Sequence, residues 1–177
     1  MRKLKVQMHF DGIDWDNDMI NFCVEDLRSA DSILLGRKTA EEFIPYWTEV
    51  AEKSDPNDIN TPLGKPLTDI PKVVFSNGLM ANRWKNTTII RGDLAREIKG
   101  LKQKAGKDII VYGGHSFVSS LVEHRLVDEY YLFVNPLAIS KDEPVLQFIN
   151  NSLPLTLLEC KSFPCGTVLL CYQQNLK

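Results

Sequence analysis

The stretch Asp108-Ile109-Ile110-Val111-Tyr112-Gly113-Gly114-His115-Ser116-Phe117-Val118 decides the fold. A short apolar run ends in paired glycines, and a helix-like pattern begins directly after them. Glycine removes the side chain where the backbone turns from strand to helix. The first N–H groups of the new helix, together with its dipole, attract anions, phosphate above all. The glycine pair therefore reads in two ways, as a phosphate-binding turn and as a tight structural turn.

A second junction has the same form. Ser32-Ile33-Leu34-Leu35 reaches Gly36, and Arg37-Lys38-Thr39 opens an amphipathic segment with Ala40, Phe43 and Ile44. Arg37 can fork onto a phosphate, Lys38 supplies a point charge, and Thr39 can cap the helix and donate to an oxygen. The alternative is a solvated basic turn with an ordinary cap. Two strand–glycine–helix junctions in one small chain suit a long ligand with separated phosphates, and a dinucleotide is the natural candidate. Neither GxGxxG nor GxxxxGK[ST] occurs, so neither of those phosphate-binding arrangements is indicated.

Outward from these junctions the periodicity predicts strands at residues 5–9, 32–35, 72–76, 87–91, 108–112 and 129–134, the last continuing toward Ile139. Helical spacing covers 19–28, 39–50, 94–104 and 116–123, with a break expected at Pro45. Residues 52–71 hold Pro56, Pro62, Gly64, Pro66 and Pro71 and read as a long irregular segment. Residues 156–163 and 167–173 read as an antiparallel hairpin around Pro164-Cys165-Gly166. Strands alternating with helices predict an α/β fold with a mostly parallel central sheet, flanked by helices and closed by an antiparallel C-terminal hairpin.

The chain has 177 residues, room for one domain spanning 1–177 with a sizeable core. Its 25% charged and 44% hydrophobic residues argue against disorder. A net charge of −2 gives no general pull toward nucleic acid or anionic membranes. No apolar run approaches the ~20 residues of a membrane helix, and the basic N-terminus reads as a first strand, so a cytoplasmic location is expected. Cys23, Cys160, Cys165 and Cys171 form no C-x-x-C pair, and His9, His115 and His124 are scattered. Buried free thiols are expected, and no metal site.

The order of motifs resembles the dihydrofolate-reductase-like fold. Within it, the chain is similar to the reductase domain at the C-terminus of the bifunctional bacterial riboflavin deaminase–reductase and its stand-alone relatives. The carrying residues are Phe10-Asp11-Gly12, Leu35-Gly36-Arg37-Lys38-Thr39, Pro71-Lys72-Val73-Val74-Phe75-Ser76 and Trp84-Lys85-Asn86-Thr87. They continue with Asp108 to Gly114, and with Leu126-Val127-Asp128-Glu129-Tyr130 leading to Val134-Asn135-Pro136. The resemblance implies NADPH as cofactor, with Gly36, Arg37, Lys38 and Thr39 at its adenosine-phosphate and pyrophosphate end. Phe75, Ser76 and Asn77 would flank the adenosine. Gly113, Gly114, His115, Ser116 and Phe117 would wrap the pyrophosphate and ribose, the two glycines being joined by a cis peptide. Asp11 matches the aspartate of the family's Asp-Gly turn. It would order the first loop or contact substrate, or simply form the turn.

The substrate end departs from the family. The carboxylate that dihydrofolate reductases carry on the first helix falls at Ile20, with Asp18 and Glu25 only nearby. Gly12 is followed by Ile13-Asp14-Trp15-Asp16, which would repel a sugar phosphate, and Ser140-Lys141-Asp142-Glu143-Pro144 replaces a glycine-rich turn. Trp15, Phe22, Tyr46 and Trp47 either floor a pocket for a flat heterocycle or belong to the core. The expectation is an NADPH-dependent reductase of a small heterocycle. The substrate would be a phosphoribosylaminopyrimidine, as in riboflavin synthesis, or an unphosphorylated pteridine. A homodimer is expected from the resemblance and the apolar last strands. The alternative is a non-enzymatic nucleotide-binding module on the same fold.

Overall fold

The computed structural model describes residues 1–8, 15–79, 81, 84–137 and 152–175. Eight strands form one sheet: β1 (Leu4–Met8), β2 (Ala30–Gly36), β3 (Lys72–Phe75), β4 (Thr87–Ile90), β5 (Asp108–Tyr112), β6 (Glu129–Val134), β7 (Leu155–Ser162) and β8 (Val168–Gln174). The spatial order is β4-β3-β2-β5-β1-β6-β8-β7. From β4 to β6 all pairings are parallel, whereas β8 runs antiparallel to both β6 and β7. The helices are α1 (Asn17–Ser29), α2 (Arg37–Lys53), α3 (Thr61–Asp69), α4 (Leu94–Gln103) and α5 (His115–Glu123). This is the α/β architecture that the alternating periodicity predicts.

Buried strands with apolar residues on both faces need a helical layer on each side. On one face, Met19, Ile20, Cys23, Ala40, Ile44, Leu63 and Leu67 from α1, α2 and α3 pack on Ile33, Leu35, Val74, Ile110 and Phe133. On the other, Ile98, Val118, Leu121 and Val122 from α4 and α5 pack on Val6, Leu34, Val73, Ile109, Val111 and Tyr130. A buried ionic cluster sits under α1. Lys5 Nζ lies 3.1 Å from Asp108 and 3.7 Å from Asp26, whose other carboxylate oxygen accepts from Gln7. Burial pushes the Asp26 carboxyl above its usual range, opposed by Lys5 and Gln7.

Several expectations change. Residues 52–71 are not wholly irregular, because α3 occupies their second half. Pro62 sits in its first turn, where a missing N–H costs no hydrogen bond, and Leu63 and Leu67 form its buried stripe. Helix α2 runs unbroken through Pro45, which lies on the exposed side while Ala40, Ile44 and Val50 stay buried. Strand β6 ends at Val134, and Ile139 lies outside the described residues. Cys23 and Cys171 are buried free thiols, but Cys160 is exposed because it belongs to the edge strand β7.

Gly64 shows how tightly α3 is set against α2. A Cβ there would lie 2.9 Å from both the Ala51 amide nitrogen and Val50 Cγ1. Gly64→Ala is therefore expected to destabilise by about 1–3 kcal/mol, since backbone cannot yield. Gly100→Ala on α4, where nothing lies within 4 Å, is expected to stabilise by up to about 1 kcal/mol. Urea denaturation midpoints of the two variants measure both signs.

Candidate cofactor site

The final register pair between β2 and β5 is Leu35 with Tyr112. Gly36 and Gly113 therefore leave the sheet side by side at the carboxyl ends of the strands, where open α/β sheets hold their ligands. Gly36 is the N-cap of α2 and Gly114 the N-cap of α5, both with extended backbone and neither with a side-chain cap bond. Two helix N-termini with their positive dipole ends thus meet over adjacent strands.

Thr39 joins them. Its expected role as a helix cap is corrected, because the extended Gly36 already caps α2 and the helix begins two residues earlier. Thr39 instead sits in the first turn, and its Oγ1 accepts the Gly114 N–H at 3.0 Å. No described residue has a cis peptide, so the cis bond expected between Gly113 and Gly114 is also corrected. The extended Gly114, at φ −69° and ψ 162°, enters α5 through a trans peptide.

Phe117 occupies the space that two glycines leave open. A Cβ at Gly36 would lie 3.0 Å from Phe117 Cγ, and one at Gly113 would lie 3.2 Å from Phe117 Cδ1. The Phe117 ring stacks on Phe75, with centroids 6.3 Å apart. Gly114 differs: a Cβ there would meet only Thr39 Oγ1, at 3.9 Å, so the space above this junction is open. Around that space Arg37, Lys38, His115 and Ser116 are exposed. Arg37 is held by Glu41, whose two carboxylate oxygens accept from its Nη1 at 3.1 and 3.0 Å. Glu41 was absent from the expected site, although its position four residues after Arg37 on a helix announces the pair.

Ser76 and Asn77 stand beside the junctions but work within the chain. Ser76 Oγ accepts from the Gly78 and Leu79 amides at 3.3 and 3.1 Å. Asn77 Oδ1 accepts from the Gly92 amide at 2.7 Å, which ties the end of β3 to the turn after β4. Asp11 lies outside the described residues, as do Ile13, Asp14 and the segment Ser140 to Pro144.

Among the described residues the side chains of Trp15, Phe22, Tyr46 and Trp47 fall into two groups of ring contacts, and Trp15, Phe22 and Trp47 pack against the core. Trp15 and Phe22 meet Phe133 beside α1, with centroids 6.5 and 6.2 Å apart. Tyr46 and Trp47 belong to α2, where Phe43 stacks on Tyr112 at 5.2 Å. Ile20, aligned with the reductase carboxylate, is buried in the core. Asp16, read from the sequence only as a charge that repels a sugar phosphate, caps α1 at Met19 N and also accepts from Cys165 N, each at 2.8 Å. Desolvation opposes ionisation of Asp16, but those amides hold its carboxyl below the usual range. An aspartate just before a helical run is itself the signal for such a cap.

Among the described residues there is no helix long and apolar enough to cross a membrane and no cluster of three or more metal-ligating side chains. The model of the RibD C-terminal domain matches residues 13–169. The chain belongs to that family. It is 28% identical to the uncharacterized protein YyaP of Bacillus subtilis (strain 168), covering 97% of this chain and 94% of that one. It is similar in structure to a putative riboflavin biosynthesis protein from Shewanella sp. PV-4, with TM-score 0.70, 15% identity, and 99% and 100% of the two chains covered. It is also similar to dihydrofolate reductase from Enterococcus faecalis complexed with NADP(H), with TM-score 0.60 and 13% identity, covering 98% of this chain and 96% of that one. The RibD C-terminal domain chain thus has a dihydrofolate-reductase-like fold and is reductase-like by family.

The packing of Phe117 against Gly36 is directly testable. Gly36→Ala is expected to cost about 1–3 kcal/mol in the native background. In a Phe117→Ala background the same change is expected to cost markedly less, because the contacted ring is gone. A double-mutant cycle in urea measures the coupling.

Proposed function

We propose that the protein is an NADPH-dependent reductase of a small heterocyclic substrate. The observation that carries this reading is the convergence of two helix N-termini through the Thr39–Gly114 hydrogen bond, with open space at Gly114 and two exposed cations in the first turn of α2. That donor set fits a dinucleotide carrying an extra phosphate: α2 and α5 present amides to a pyrophosphate, and Arg37 and Lys38 present charge to a 2′-phosphate. Bound NADPH supplies a hydride. On this reading Gly36, Thr39, Gly113, Gly114, His115, Ser116 and Phe117 shape the pyrophosphate and ribose cradle. Phe75, Ser76 and Asn77 border the adenosine, the last two through the turn they hold rather than through free side chains.

On the substrate side, Asp11 orders the first loop or contacts the heterocycle. The family's reaction is the reduction of 5-amino-6-(5-phosphoribosylamino)uracil. Here the acidic residues Asp14, Asp16 and Asp18 favour an unphosphorylated pteridine or aminopyrimidine, because a sugar phosphate would be repelled. A homodimer in the cytoplasm is part of the same proposal. The edge strand β7 presents Leu157 and Leu158, 49% and 52% exposed, which a second copy would cover.

The test is a titration with NADPH and NADH followed by Trp emission, then a screen for NADPH oxidation with pteridines and aminopyrimidines. Selective NADPH binding with oxidation is expected. Binding with no oxidation across the screen would favour the non-enzymatic module. Absence of binding to either cofactor would overturn the proposal. Arg37→Ala and Lys38→Ala are each expected to raise the NADPH dissociation constant about tenfold, or ~1.4 kcal/mol, with little change for NADH. Equal losses for the two cofactors would remove these residues from the 2′-phosphate.

A further inference from the structure

Lys72 opens β3 at the opposite end of the strand from Phe75, and so lies away from the glycine junctions. It is only 3% exposed. An ammonium has three donors, and among the described residues that of Lys72 makes one hydrogen bond, to the Thr68 carbonyl in the last turn of α3. Burial lowers its pKa to about 8, opposed by Asp69. A buried cation this sparsely partnered calls for an anionic acceptor.

It lines a groove of 650 Å³ between α2, α3 and the segment before β4, a volume suited to a small molecule. Ile44, Pro45, Ala51 and the indole of Trp84 supply its apolar wall. Five charged groups face Lys72 across it: Glu49 and Glu52 from α2, Lys65 and Asp69 from α3, and Lys85 before β4. Two of the three carboxylates already have cations of their own, since Glu49 meets Lys53 and Asp69 meets Lys65, each at 2.5 Å. Glu52 and Lys85, in no ion pair among the described residues, offset one another, so the net charge left is that of Lys72.

We propose that this groove binds a small aromatic carboxylate, with its carboxylate on Lys72 Nζ and its ring against Trp84 and Pro45. The site does not depend on the reductase reading, and NADPH binding and groove binding can fail separately. The test is calorimetric titration of the whole protein with 1-naphthoate, and with 1-naphthalenemethanol as its neutral counterpart. Naphthoate is expected to bind at least about tenfold more tightly than the alcohol at pH 7. Lys72→Met, which keeps the length and removes the buried charge, is expected to abolish that preference. Affinity for naphthoate is expected to fall about tenfold or more between pH 6.5 and 9.5 as the ammonium is lost. No naphthoate binding at about 10 mM, equal binding of the alcohol, or an unchanged preference in Lys72→Met would overturn the proposal. Lys72 would then be only a cation capping the C-terminus of α3.

Discussion

The hydrogen bond from the Gly114 N–H to Thr39 Oγ1 holds two independent crossovers together. It can form only because β2 and β5 are parallel neighbours that end in register, so that both chains turn into helices at the same height. Phe117 fills the two places where glycine omits a side chain, and in doing so locks the turns from beneath. What is left above Gly114 is an open space bordered by amide donors and cations. The two glycines of the pair differ in what surrounds them. Gly113 is a packing glycine under Phe117, and Gly114 leaves the room that the proposed pyrophosphate needs.

The two ends of the sheet carry different electrostatic arrangements. At the carboxyl ends of β2 and β5, exposed cations stand beside helix N-termini in a setting where Glu41 already competes for Arg37. Under the proposed reading a phosphate would share the guanidinium with that carboxylate, which takes only Nη1, whereas Lys38 has no such ion pair among the described residues. Beneath α1, by contrast, Lys5, Asp26, Asp108 and Gln7 satisfy one another in the interior. Such a cluster orders the core and is expensive to break one partner at a time. Lys72 belongs to neither arrangement, being buried with one acceptor among the described residues.

Much of the fold was legible because its strands are short apolar runs and its helices are amphipathic. The bounds of β5 and β6 agree with the expected 108–112 and 129–134, and the C-terminal hairpin follows its Pro-Cys-Gly turn. Helix α3 was not legible, because Pro62, Gly64 and Pro66 are all poor helix formers. Its reason to be helical is tertiary: Leu63 and Leu67 bury one face, and Gly64 permits contact with the α2 backbone. Within the site, the residue types at both junctions could be read from spacing alone. That Thr39 would serve the other helix, that Phe117 would fill Gly36, and that Ser76 and Asn77 would be consumed by turns required distances between segments far apart in the chain.

In the proposed function the two glycine junctions act together as one binding surface. Backbone amide NMR of the uniformly labelled protein, recorded as NADPH is added, tests this most directly. The largest shifts are expected to fall together on Gly36 to Thr39 and on Gly114 to Phe117, with one shared saturation curve. Shifts confined to one junction, or centred on another part of the sheet, would contradict it.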